Sequence, residues 1–261
     1  MSTFPDSMQA LAERVSRVPT DRTVDEVVDR LTGIERDLDG FFSPDGSGPA
    51  ERRRHPPLPD GVACFNGMYL RVTEAVRDEL PNFENRKFVE RLDVLFAEFY
   101  FQAFDAFAAT PRAWISKAWE PLFLHREDRG ILALQFAIAG MNAHINNDLA
   151  HALVLTWDEL GLGPARGTPE FRDYLKVNDI LAAVETEIKV PLSDTIIAGV
   201  DEALGTTDDV LALWSIRRAR EQAWLRARIM RDVTGDELGG LFDGLVGFAG
   251  TLLLRPSAIF G

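Results

Sequence analysis

Fourteen consecutive residues, Gly140 to Leu153, read GMNAHINNDLAHAL and set two imidazoles, a carboxylate and three amides between long apolar runs. Buried polar groups are costly unless something pairs with them, so such a concentration needs a reason. His144, Asp148 and His151 are spaced i, i+4, i+7, which brings them to one face of a helix. Two chemistries fit that spacing. A histidine oriented by a carboxylate one turn away can take up or release a proton near neutral pH. His144 would then be the catalytic acid or base and Asp148 its orienting carboxylate. Asn142, Asn146 and Asn147 would hold a substrate carbonyl or hydroxyl. Alternatively, His144, Asp148 and His151 converge on one divalent metal ion, which also needs a fourth ligand or water. A third account involves no reaction: the polar stripe bonds helices together, with Asp148 accepting from an Arg or Trp on a neighbour.

Other residues could serve the same site. Arg71, in FNGMYLRV, could anchor a carboxylate. Glu98 shares a stripe with Gln102 and Asp105 on a Phe-rich segment and is read as a pocket wall or a solvated face. His151 and Trp224 complete the candidate substrate contacts. Arg220, beside Trp224, either lines a pocket or joins the Arg217–Arg231 stripe in salt bridges. Cys64 reads as a small core residue rather than a nucleophile.

These side chains sit on segments with helical periodicity. Apolar residues recur every three or four positions over 6–17 and 23–38, and Thr23 with Glu26 has capping-box spacing. Further helices are predicted over 61–80, 86–109, 112–124, 129–160, 168–188, 192–203, 207–231 and 235–253, with Pro191 as a break. The central one, 129–160, carries the polar stripe and is apolar on its other faces, as a buried helix must be. No segment alternates with period two between turn signals, so no sheet is expected. The fold class is therefore all-α: a bundle of about nine helices around a central buried one. Residues 1–59 form a helical pair and a Pro/Gly-rich loop that carries His55, and 60–261 form the main domain.

Composition narrows the partners. The chain has 261 residues, 46% hydrophobic and 26% charged, and a net charge of −13 from 41 acidic and 28 basic residues. An acidic surface argues against nucleic acid and against anionic membranes. One cysteine excludes an intrachain disulfide and fits a reducing cytoplasm. No signal peptide or membrane span is read.

GMNAHINNDLAHAL, with FNGMYLRVTEAV at 65–76 and FRDYLKVNDIL at 171–181, resembles an uncharacterised, mainly bacterial family of unknown function. The family's hallmark is the string M-N-A-H-I-N-x-D-L. The resemblance covers the chain from about residue 60 onward and matches Asn142, His144, Asn146 and Asp148; His151 lies outside it. It implies a helical domain and names no reaction. H-x-x-x-D also looks like part of the zinc set of bacterial phospholipase C and P1-type nucleases, which need more histidines than the four present here. N-D-L-A-H-A-L-V is similar to the metal element of class I terpene synthases, but His151 and Leu155 replace its Ser and Glu.

The expected function is an enzyme acting on a small, largely apolar molecule by His/Asp acid–base chemistry, of lyase, cyclase or isomerase type, in bacterial secondary metabolism. No cofactor is expected, or in the alternative one divalent metal ion in a hydrolase. A non-catalytic ligand-binding or scaffold protein is the other alternative, and a homodimer is compatible with all three.

Overall fold

The computed structural model describes residues 7–38, 60–109, 113–197, 216–232 and 237–255. Loop 40–59, with His55, and the predicted helix start at Thr207 lie outside them. The described residues form an all-α bundle without strands. Helix α1 spans Met8–Val15 and α2 Val24–Asp37. The capping box forms as predicted: Glu26 N–H donates to Thr23 Oγ1 (3.3 Å) and Thr23 N–H to Glu26 Oε2 (2.8 Å). Helix α3, Gly61–Glu79, starts where Asp60 accepts the Val62 N–H. Helix α4, Arg86–Ala108, starts where Asn85 accepts the Phe88 N–H.

The helix predicted over 112–124 is shorter, with α5 only Glu120–His125. Asp243 accepts the N–H groups of Lys117 and Ala118 (3.0 and 2.9 Å), and so holds that stretch as a turn. Pro121, in the first turn of α5, is preset for helix. The predicted helix over 129–160 is a single rod with a fault in it. Helix α6 is Ala133–Ala143, His144–Asp148 form one π turn, and α7 is Leu149–Leu160. Gly161, at φ +64°, ends the rod in the left-handed conformation. Helix α8, Pro169–Ile197, runs through Pro191 where a break is predicted. One missing N–H removes one rung of a long ladder, and here that does not stop the helix. Helix α9 is Ile216–Asp232 and α10 Glu237–Leu253.

One apolar core runs through all of these elements, from Met8 on α1 to Leu254 after α10. Two glycines let α3 and α6 approach closely. A Cβ on Gly61 would lie 2.4 Å from the Phe136 ring, and one on Gly140 would lie 2.4 Å from the Phe65 ring. Each helix thus lays a phenylalanine over the other's glycine, one turn apart and in the same direction. Carried one turn further, that register sets Tyr69 opposite His144. Among the described residues no helix is long and apolar enough to cross a membrane.

Candidate functional site

The π turn governs how the central stripe is aimed. Its closing bond runs from Leu149 N–H to His144 C=O, five residues apart instead of four. A π turn takes one residue more than an α turn, so everything beyond it is rotated by roughly 100° from the regular position. His144 and Asp148, both inside the turn, stay together: His144 Nδ1 lies 3.1 Å from Asp148 Oδ2. His151, beyond it, leaves the stripe. Its ring lies 5.9 Å from Phe99 on α4, and burial, helped by the Arg226 guanidinium, pushes it down to about 4. The predicted His144–Asp148–His151 triad is not assembled. Among the described residues no three His, Cys, Asp or Glu side chains cluster as metal ligands would.

Asp148 is completely buried and fully engaged. The Trp119 indole N–H donates to its Oδ2 (2.9 Å) and the Asn147 amide to its Oδ1 (3.0 Å). With Asp148 Oδ2 accepting from Trp119 as well, the facing His144 nitrogen is assigned as the donor, Nδ1–H to Oδ2. That leaves Nε2 with a free lone pair, and Nε2 is buried without a hydrogen-bond partner. Burial lowers the imidazole's pKa, opposed by Asp148, which keeps the ring neutral near pH 7. Aromatic rings fix its orientation: Phe96 stacks flat on it at 3.5 Å, and Tyr69 meets it edge-on at 4.6 Å.

His144 lines a cleft between α3, α4, the π turn, α8 and α9. Its free room is about 80 Å³, well above the roughly 10–15 Å³ that a single water needs. The walls are mainly apolar: Phe65, Met68, Val76, Val89, Leu92 and Phe96 among others. Four polar side chains interrupt them, His144, Tyr69, Asp93 and Arg220, and each has a buried atom without a partner: Nε2, Oη, Oδ2 and Nε. Of the ten buried side-chain polar atoms without a hydrogen-bond partner among the described residues, four belong to side chains that line this one cleft. Burial raises the Asp93 carboxyl to about 7, and raises the Tyr69 hydroxyl well above its ordinary value.

The remaining candidates lie elsewhere. Asn142 donates to Val246 C=O on α10 (3.0 Å) and accepts from Asn146 (3.1 Å). Asn147 reaches Met8 Sδ (3.6 Å) as well as Asp148. These amides tie the central rod to its neighbours and do not line the cleft. Glu98 bonds Arg22 (2.8 Å) in a separate charged cleft with Arg30 and Asp105. Arg71 is exposed on α3. Trp224 is core: its N–H donates to Pro164 C=O (3.2 Å) and its ring packs on Trp157, Phe171 and Tyr174. Asp148 accepting from a neighbouring Trp is the helix-bonding account of the stripe. The contact that account requires is present, and the same carboxylate is bonded to a histidine that lines the cleft.

Asp93 is the residue that sequence reasoning passed over. It shares a helical face with Val89 and Phe96, and an acid on an otherwise apolar stripe was the available signal. Tyr69 could be paired with His144 only through the interlocked glycines.

No curated protein and no solved structure matches the chain. A family model does, over residues 24–256, so the match takes in α2 and begins well before residue 60. With most of its length matched, the chain belongs to DUF5995, a family of unknown function.

Proposed function

We propose that this chain is an enzyme that moves a proton on a small, largely apolar organic molecule, in a lyase, cyclase or isomerase step. The reading rests on one observation: an imidazole backed by a buried carboxylate lines an apolar cleft, and its Nε2 is buried without a hydrogen-bond partner. In this reading His144 Nε2 takes the proton. Asp148 holds the ring through Nδ1–H and stabilises the cation that forms, as Trp119 and Asn147 fix the carboxylate. Asp93, half-protonated near neutral pH, returns a proton to the product. The Tyr69 hydroxyl, a neutral donor, positions a polar group of the substrate. The chain would work in the bacterial cytoplasm, in biosynthesis, where its single buried thiol stays reduced.

The test is deuterium incorporation from D₂O into a panel of small apolar ketones, aldehydes and alkenes, each with and without a terminal carboxylate, followed by NMR. The wild-type protein is expected to exchange at least one class. His144→Ala should lose about 10²–10⁴-fold of that rate, the usual worth of a positioned base. Exchange that survives His144→Ala, or none across the panel, rejects the assignment. A non-catalytic binder is the second reading, favoured by the aromatic clamp that immobilises His144. It predicts binding without any exchange.

A further inference from the structure

Arg220 is the one polar group of the cleft that proton transfer leaves unused. It lies on α9 and is 5% exposed. Its Nη2 donates to Tyr174 C=O (2.8 Å), and its guanidinium carbon sits 4.2 Å over the Tyr174 ring. The Tyr174 hydroxyl donates back to Arg220 C=O (2.6 Å), so the two residues lock α8 to α9. Nε remains buried and unpartnered. Arg217 and Arg231 on the same helix face Asp179 and Asp158 across 3.6 and 3.4 Å, whereas Arg220 has no carboxylate partner among the described residues. Asp93 lines the same cleft without forming an ion pair with it.

An arginine stays protonated, and an isolated buried cation is costly unless an anion joins it. The face of Tyr174 offsets part of that cost and supplies no countercharge. The surroundings decide what kind of anion could enter. Val72, Val76, Val89, Leu92, Val177 and Leu181 would accept an alkyl or aryl body and would reject a sugar phosphate or a polyanion. The free room, about 80 Å³, equals about two to three waters at ~30 Å³ each, enough for a carboxylate head group, and the cleft is open on one side, so a short chain can run along its walls.

We infer that the cleft binds a small apolar monocarboxylate, its carboxylate held by Arg220 and its apolar body against these walls, with His144 within the same cavity. This rests on the cleft being the functional site and names the substrate class for it. A guanidinium suits the task because it matches both oxygens of a carboxylate. Asp93, largely uncharged below about pH 7, would neither neutralise Arg220 nor repel the ligand there.

The experiment is calorimetric titration of the full chain at pH 6.5 with hexanoate, 1-hexanol and hexylamine, three ligands sharing one chain and differing in head group. Hexanoate should bind at least tenfold more tightly than 1-hexanol, with hexylamine weakest. Arg220→Met should remove the preference for the acid and leave 1-hexanol unchanged, and Arg220→Lys should keep part of it. If Arg220→Met does not fold, the wild-type ranking decides alone. Equal or tighter binding of 1-hexanol, or no binding of hexanoate, overturns the inference. The exchange assay is read separately. Acid preference without exchange rejects only the catalytic reading, and exchange without acid preference rejects only the carboxylate.

Discussion

Asp93→Asn should stabilise the protein at alkaline pH and leave its stability unchanged in acid. The Asp93 carboxyl keeps a little surface in the cleft, yet its Oδ2 is shut off from water and from every donor. Burial alone moves it from 3.8 to about 7. Because the folded pKa is raised, the native state retains a proton that the unfolded chain has already released between those two values. Its contribution to stability is therefore complete below pH 3.8, declines as the pH rises to about 7, and is flat above. A separation of about three pH units corresponds to ~4 kcal/mol at 1.36 kcal/mol each. Water entering the cleft screens part of it, so about 2–4 kcal/mol is the expected range. Asparagine has nearly the same shape and no charge to bury. Urea unfolding of both proteins from pH 4 to pH 8.5 should give a difference that starts near zero and reaches its plateau above pH 7.5. A difference that does not vary with pH, or an Asn variant less stable at pH 8.5, would refute the assignment of Asp93 as a buried, unpaired acid.

Three further outcomes can be checked directly. Gly140→Ala should cost about 1–3 kcal/mol in urea, because its Cβ would meet the Phe65 ring at 2.4 Å and that ring is locked in the core. Trp119→Phe removes one donor from a fully buried carboxylate and should cost ~1–3 kcal/mol, with near-native secondary structure by circular dichroism. ¹⁵N NMR at pH 7 should show His144 neutral with its proton on Nδ1, since burial lowers its pKa; a doubly protonated ring would contradict the site geometry.

The sequence made the helices legible wherever local chemistry decides them: the Thr23–Glu26 box, the apolar periods, the glycine after Leu160. It also made His144 and Asp148 legible as a pair, because one helical turn fixes their distance whichever neighbours they meet. What it withheld depends on contacts between segments far apart in the chain. The π turn has no local signature in HINND, so His151 was counted on a face from which the turn rotates it away. Arg220 could be weighed as pocket-lining or salt-bridged, and only the packing of α8 on α9 distinguishes the two. Tyr69 and Asp93 come from α3 and α4, and nothing within either segment says that both look into the cavity that His144 lines.

The extra residue in the π turn also makes the central rod an indexed part, like a keyed shaft. Its two halves are set at different angles, and each angle is right only for its own neighbours: Phe136 and Gly140 for α3, Leu153 and Trp157 for the far side of the core. Removing one residue between His144 and Asp148 would restore a regular helix and turn α7 by roughly a quarter of a circle. Trp157, now completely enclosed, would swing out of its seat. Length at this point is therefore as constrained as chemistry: a deletion here would displace α7 even if every side chain of the segment were kept.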